Sequence, residues 1–193
     1  MNISRVVREA IDKWVAGDIE HAWQQAVIAV DATAKLSLRN AYPKRSQNRK
    51  RFTAFIKQNI AVVTRCAFGN VTVTGGIISS CAHPDLKPTP GLHPIEEIFY
   101  QIRCDLLHEA TLSPTIQFTD TLVIGSGGPV TSISSVFVIG LVAAVIVAKA
   151  NRNGHLPPEY TFNVNGKTAK INDFWGNREE CMNWFEEAFK ASD

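Results

Sequence analysis

The chain has 193 residues, of which 45% are hydrophobic and 20% are charged, and its formal net charge at pH 7 is +2. This is the composition of an ordinary globular domain, and so small a net charge identifies no partner. The length fits one domain over residues 1–193 with a substantial core, so the four cysteines are not needed as disulfide staples.

The features of the sequence that report on compartment favour the cytoplasm. The cysteines form no CxxC pair, which suits reduced thiols. The N-terminal stretch MNISRVVREAIDKW carries charges throughout, unlike a signal peptide. The longest apolar run, residues 136–148, has 13 residues, whereas a membrane span takes about 20. We therefore expect a cytoplasmic protein without a membrane segment.

The N-terminal third of the chain predicts three helices. Apolar residues recur at helical spacing over residues 3–15, and Gly17 and Asp18 then supply a stop and an N-cap. A second amphipathic helix is predicted over residues 19–41, ahead of a proline. A third is predicted to start among the basic residues that follow and to reach about Cys66.

Five basic residues lie close together between the second and third predicted helices. They are Lys44, Arg45, Arg49, Lys50 and Arg51, here called the basic segment. Without them the rest of the chain would carry a net negative charge, so the positive charge is local. One interpretation is a solvated loop that leads into a helix, and the other is a contact with the backbone of a nucleic acid.

Residues 69–94 separate these helices from a fourth. The stretch GNVTVTGGIISS alternates β-branched residues around two glycines, which indicates either a short hairpin or an irregular link. Prolines punctuate the next stretch and predict an extended surface connection. The stretch PIEEIFYQIRCDLLHEA then predicts a helix from about Pro94 to Ala110.

The remaining third mixes strands and helices. The stretch TIQFTDTLVIG predicts a strand pair, and residues 130–151 predict an apolar helix. Asn165-Gly166 predicts a hairpin turn, and residues 177–190 predict an amphipathic helix. The expected fold is mainly α: a helical bundle over residues 1–112 with a β-hairpin and helix elaboration over residues 113–193.

The fourth predicted helix has two apolar faces. Its core-facing stripe comprises Ile95, Ile98, Phe99, Ile102 and Leu106. The opposite side holds Tyr100, Cys104 and Leu107, and a twofold contact with the same helix of a second subunit would cover it. On an ideal helix Arg103 and His108 lie about 140° and ~7.5 Å apart, on either side of Cys104. The dimer would gather both pairs into one cleft.

Arginine and histidine together suit phosphodiester chemistry. A guanidinium binds phosphate, and an imidazole acts near neutral pH as a general acid or base. In RNA the neighbouring 2′-OH serves as the nucleophile, so neither a metal nor another cofactor is expected. We predict that Tyr100 and Asp105 position the histidine or the substrate.

The stretch IFYQIRCDLLHEA resembles the second conserved helix of HEPN domains, in which a histidine follows an arginine after four to six residues. The tyrosine, the RC pair and the LLHEA ending are similar to those of many bacterial members. Cys104 stands where many members have a polar residue, with the acid one step later at Asp105. The resemblance implies a helical core, a homodimer that composes the active cleft, and often metal-independent endoribonuclease activity in defence, toxin–antitoxin or stress systems.

Three hypotheses for the function follow, and the third is a small-ligand or nucleotide-binding protein that uses GSGG at residues 125–128. The first is a homodimeric HEPN-type ribonuclease or RNA-binding effector, with His108 as general acid or base, Arg103 as phosphate clamp, and the basic segment holding the RNA backbone. The second is a non-catalytic HEPN-like interaction module that binds a partner protein, such as a cognate antitoxin, through Tyr100, Cys104 and Leu107.

A glycine-rich stretch and a group of cysteine and histidine residues are the other candidate sites. GSGGP at residues 125–129 is either a tight turn or an anion-binding loop, and it lacks the lysine of a P-loop. Cys81, His83 and His93 match no familiar zinc spacing. We therefore expect no metal site.

Overall fold

A computed structural model of the chain describes residues 1–68, 94–109, 112–114, 116–121 and 130–190 in full, and the backbone alone of residues 76–79, 91–93 and 124–126. The helices are α1 (Ile3–Val15), α2 (Ile19–Ser37), α3 (Asn48–Phe68), α4 (Ile95–Cys104), α5 (Phe137–Ile146) and α6 (Arg178–Lys190). The strands are β1 (Gly76–Ser79), β2 (Gly91–Pro94), β3 (Ile116–Thr119), β4 (Ile124–Ser126), β5 (Thr131–Ser134), β6 (Thr161–Val164) and β7 (Lys167–Lys170). The predicted fold class, mainly α with β-hairpins, is confirmed.

The first two helices are separated where the sequence predicts. Gly17 adopts a φ of 77°, which a residue with a side chain rarely adopts, and α2 begins after Asp18. Lys13 Nζ donates to Asp18 at 2.8 Å and His21 Nδ1 lies 2.7 Å from it, and these hydrogen bonds lower the pKa of Asp18 to about 2. The helix α2 ends at Ser37, four residues before the predicted end.

The helix α5 lies at the centre of the helical core. All of its residues except Ile139 are buried, and it packs against α1, α2 and α3. The division into a helical core over residues 1–112 and an elaboration packed on it stays a prediction, and the two parts share one hydrophobic cluster. A helix from the C-terminal part fills the core that the first three helices surround.

Gly140 permits the closest approach between α5 and α3. A Cβ atom at this position would lie 2.1 Å from the carbonyl oxygen of Val63 and 2.9 Å from its carbonyl carbon. Both atoms belong to the backbone of α3, so no change of side-chain rotamer relieves the contact.

The strands form three small sheets in the described part of the chain. β1 pairs with β2 in antiparallel fashion, so the stretch before the prolines has strand character. β5 lies between β3 and β4, parallel to β3 and antiparallel to β4. The predicted pairing of the two strands in TIQFTDTLVIG is therefore wrong. The predicted helix over residues 130–151 is also too long, because β5 occupies its first turn.

The hairpin predicted at Asn165-Gly166 is confirmed. β6 and β7 pair with Val164 opposite Lys167, and the two turn residues have φ angles of 51° and 78°. Both angles suit a type I′ turn, whose twist matches that of the strands. The predicted C-terminal helix is confirmed as α6. No helix in the described segments is long and apolar enough to cross a membrane.

Candidate functional site

A π-helical turn at the end of α4 organises the candidate site. Regular α-helical geometry ends at Cys104, and Asp105–Glu109 form a π-helical turn. Hydrogen bonds in such a turn join residues five apart, so residues five apart lie on the same side. The side chain of Gln24 on α2 donates to the carbonyl oxygen of Leu106 at 3.0 Å and so holds the turn against α2.

The π-helical turn brings Arg103 and His108 together. Arg103 Nη1 lies 3.3 Å from His108 Nε2, whereas an ideal α-helix would leave the two on either side of Cys104. A guanidinium only donates hydrogen bonds, so Nε2 accepts and the neutral ring carries its proton on Nδ1. His108 is exposed, whereas Arg103 is only 9% exposed.

Asp31 on α2 is the charged partner of Arg103. Arg103 Nε and Nη2 donate to Asp31 Oδ2 at 3.0 Å and 2.5 Å. Burial of the guanidinium lowers the pKa of Arg103, but the hydrogen bonds to Asp31 and Cys104 and the charges on those groups outweigh this and raise the pKa. Asp31, Arg103 and His108 therefore form a connected chain that runs from α2 to the exposed imidazole.

Tyr100 is largely occupied by contacts within the chain. Its ring meets Phe52 edge to face at 5.6 Å, and the guanidinium carbons of Arg49 and Arg103 each lie 5.6 Å from its centroid. Burial raises the pKa of the phenol, with a smaller contribution from Cys104. Two of the predicted interface residues therefore contact Arg103, Tyr100 through its ring and Cys104 through its sulfur. The third, Leu107, lines a cleft.

Asp105 has a structural position. It is 3% exposed, accepts a hydrogen bond from Gln101 Nε2 at 2.9 Å, and accepts another from the backbone N–H of Ser113 at 3.3 Å. The bond from Ser113 attaches the first residue of the π-helical turn to the segment that leads to β3. The predicted role of Asp105 in contacting substrate finds no support in this geometry.

A cleft of about 920 Å³ adjoins Asp31, here called the α2 cleft. It is lined by Met1, Ile3, Ile28, Asp31, Ala32, Lys35, Leu36, Pro43, Arg45, Asn48, Arg51 and Leu107. The cleft therefore joins the carboxylate that holds Arg103 to two arginines of the basic segment.

The basic segment divides into three parts. Arg45 and Arg51 line the α2 cleft. Arg49 is held by Glu97 on α4, with Nη2 donating at 2.8 Å and Nε at 3.0 Å. Lys44 and Lys50 are exposed. Of the five predicted contacts to RNA, only Arg45 and Arg51 line the same cleft as Asp31.

Sequence reasoning missed Asp31 and Gln24. Asp31 is the one charged residue in the apolar stretch AVIAVDATA of α2. A lone charge in such a stretch indicates that an oppositely charged side chain pairs with it in the folded protein. Gln24 carries no comparable signal, because its role depends on the carbonyl group that it meets.

The remaining candidate sites lie mostly outside the described residues. Residues 127–129 of GSGGP, with Cys81 and His83, fall there, and only the backbone of His93 is described. Within the described residues, no three histidine, cysteine, aspartate or glutamate side chains form a group able to hold a metal ion.

Comparison with known proteins gives a single kind of match. A family model described as Rv1289 matches residues 2–192, which is nearly the whole chain. No curated protein and no solved structure matches the sequence. The geometry of the site is therefore the basis for assigning a function.

Proposed function

We propose that this chain, which belongs to the Rv1289 family, binds RNA and cleaves its phosphodiester bonds without a metal, at the Arg103–His108 pair. The observation that carries the proposal is the 3.3 Å contact between the Arg103 guanidinium and the His108 imidazole. This contact joins Arg103, a buried cation paired with Asp31, to His108, an exposed acid–base group. Such a pair is expected of a HEPN-type endoribonuclease.

His108 is the group that moves protons in this proposal. Its ring is exposed and held from one side, so the substrate reaches it from solvent. As a base, Nε2 exchanges its hydrogen bond from Arg103 for the proton of the RNA 2′-OH, and as an acid the protonated ring gives a proton to the leaving 5′ oxygen. The 2′ oxygen attacks the neighbouring phosphorus, and the bond between phosphorus and the 5′ oxygen breaks. The reaction needs no cofactor.

Arg103 is better suited to position His108 than to clamp phosphate. Asp31 occupies its Nε and Nη2 groups, and its Nη1 group faces His108. The guanidinium is therefore engaged on both sides. We assign phosphate binding to the cations outside this pair, among which Arg45 and Arg51 line the adjoining cleft.

A homodimer in the cytoplasm remains part of the proposal. A second copy that packs beside Leu107, which is half-buried at the edge of the α2 cleft, would bring two histidines near one RNA strand. The same HEPN resemblance supports a biological role for the protein in a defence, toxin or stress system.

The test is cleavage of a mixed single-stranded RNA pool in EDTA. Removing a general acid or base slows a reaction by about 10²–10⁴-fold, so we expect His108→Ala to lose activity by that factor. His155→Ala is the matched control, because His155 is exposed and belongs neither to the Arg103–His108 pair nor to the lining of the α2 cleft, and it should retain full activity. Equal cleavage by wild type and His108→Ala would contradict the proposal.

A non-catalytic interaction module is the second candidate function. Leu36 is 58% exposed and lines the α2 cleft together with half-buried Leu107, and such an apolar edge suits a protein partner. We expect Leu107→Asp to abolish dimer formation together with RNA cleavage if the first proposal holds, as measured by light scattering and the cleavage assay. For the interaction module the same substitution releases only a partner protein. A dimer that survives Leu107→Asp contradicts both versions of this interface.

A further inference from the structure

We propose that the α2 cleft binds the phosphate group of an organic phosphate ester, with Arg51, Arg45 and Lys35 as its cationic contacts. The choice of a nucleotide as the ester rests on the proposed function, whereas the phosphate site itself does not. The cationic contacts of this site differ from the Arg103–His108 pair, which the cleft adjoins through Asp31.

Arg51 is a buried cation without a carboxylate partner in the described part of the chain. The residue is 6% exposed and lines the cleft. Its Nη1 donates to the carbonyl oxygen of Tyr42 at 3.3 Å and its Nη2 donates to Asn48 Oδ1 at 3.4 Å. Its Nε is buried and meets no acceptor among the described residues. A buried charge held only by two long bonds to neutral groups is costly, and an anion in the cleft would offset that cost.

The position of Arg51 in α3 strengthens the argument. The first turn of α3 reads Asn-Arg-Lys-Arg and contains no acidic residue. The N-terminus of a helix carries a partial positive charge that favours anions and disfavours cations. Arg49 is compensated by Glu97, but Arg51 is not. An anion near Asn48 and Arg51 would interact favourably with both the helix end and the side chain.

The other residues that line the cleft define the class of ligand. Lys35 and Arg45 add two exposed cations, and the charge of Asp31 is already neutralised by Arg103. Ile28, Leu36 and Leu107 supply an apolar wall. A volume of about 920 Å³ is within the range of small-molecule sites. A phosphate attached to a partly apolar group, as in a nucleotide, matches both the cations and the apolar wall of the cleft.

The experiment is calorimetric titration of the full chain with AMP, adenosine and inorganic phosphate. We expect saturable binding of AMP and at least about tenfold weaker binding of adenosine, because a charge-assisted contact contributes roughly that much. Arg45→Gln and Arg51→Gln should each weaken AMP binding about tenfold. Lys50→Gln removes an exposed charge from the same helix turn, outside the cleft lining, and should change binding by less than about twofold.

Two results would overturn the site. One is AMP binding no tighter than adenosine binding, and the other is an equal loss of affinity in Lys50→Gln and Arg45→Gln, which would indicate general surface attraction. If Arg51→Gln fails to fold, Arg45→Gln decides the matter, because Arg45 is exposed.

Competition then separates the sources of phosphate. Displacement of AMP by a single-stranded oligoribonucleotide without terminal phosphate assigns the site to a phosphate within RNA, and failure to displace it assigns the site to a free nucleotide; either outcome supports the phosphate site. AMP binding in a protein that cleaves no RNA refutes the proposed function and leaves the site standing. RNA cleavage without AMP binding refutes the phosphate site and leaves the proposed function standing.

Discussion

Gly140→Ala is expected to destabilise the protein by about 3 kcal/mol, at the upper end of what overpacking a core costs. In an isolated helix the same change would stabilise by up to about 1 kcal/mol, because alanine is the better helix former. Here the added Cβ would lie 2.1 Å from the Val63 carbonyl oxygen, so α3 and α5 must separate. That loss is a large fraction of the roughly 5–15 kcal/mol that holds a typical domain folded.

Urea unfolding followed by circular dichroism measures this change. Gly166→Ala is the control, because a Cβ there meets nothing within 4 Å and the cost comes only from its φ of 78°, about 1 kcal/mol. Val63→Ala should not rescue Gly140→Ala, since the clash is with backbone atoms. A Gly140→Ala protein as stable as wild type would show that the two helices do not approach so closely.

Asp31→Ala is expected to destabilise the protein by roughly 2–3 kcal/mol, because it leaves the guanidinium of Arg103 without its carboxylate. The Asp31 side chain is 21% exposed and that of Arg103 is 11% exposed, so water compensates part of the loss and the effect stays below that of a fully buried pair. Removing both charges in Asp31→Ala with Arg103→Met should cost less than the sum of the two single changes. The measurement is a double-mutant cycle in urea.

The pair of Arg49 and Glu97 provides a matched comparison. Its geometry is similar, with Arg49 Nη2 2.8 Å from Glu97, but Arg49 is 52% exposed. The same cycle with Arg49→Met and Glu97→Ala should give a coupling below about 1 kcal/mol. Equal coupling in the two pairs would show that burial does not strengthen the Asp31–Arg103 pair. The ring signals of His108 in NMR spectra should shift in Asp31→Ala and stay unchanged in Glu97→Ala.

Local features of the fold were predictable because nearby residues determine them. The stop at Gly17 requires a left-handed backbone that glycine adopts freely, and the turn at Asn165-Gly166 requires two such residues in succession. The start of α3 within the basic segment and the extent of α6 follow from helical periodicity.

Strand order and the neighbours of the buried helix α5 were not predictable from local pattern. β3 and β4 flank a turn signal and read as a pair, yet β5 lies between them, because the partner of a strand depends on segments distant along the chain. The apolar run around α5 indicates burial without indicating the neighbours. Only the fold shows that three helices from the other end of the chain surround it.

The candidate site also combines features that local sequence sets with features that distant segments set. Residue type and spacing are enough to place Arg103 and His108 five residues apart on one helical segment, and to show that an apolar stripe anchors this segment in the core. Three further features depend on the fold: Gln24 on α2 supports a π-helical turn there, this turn brings the two side chains to 3.3 Å, and Asp31 binds the arginine. Packing of the whole core sets these contacts, because Gln24 meets Leu106 across 82 positions of the chain and Asp31 meets Arg103 across 72.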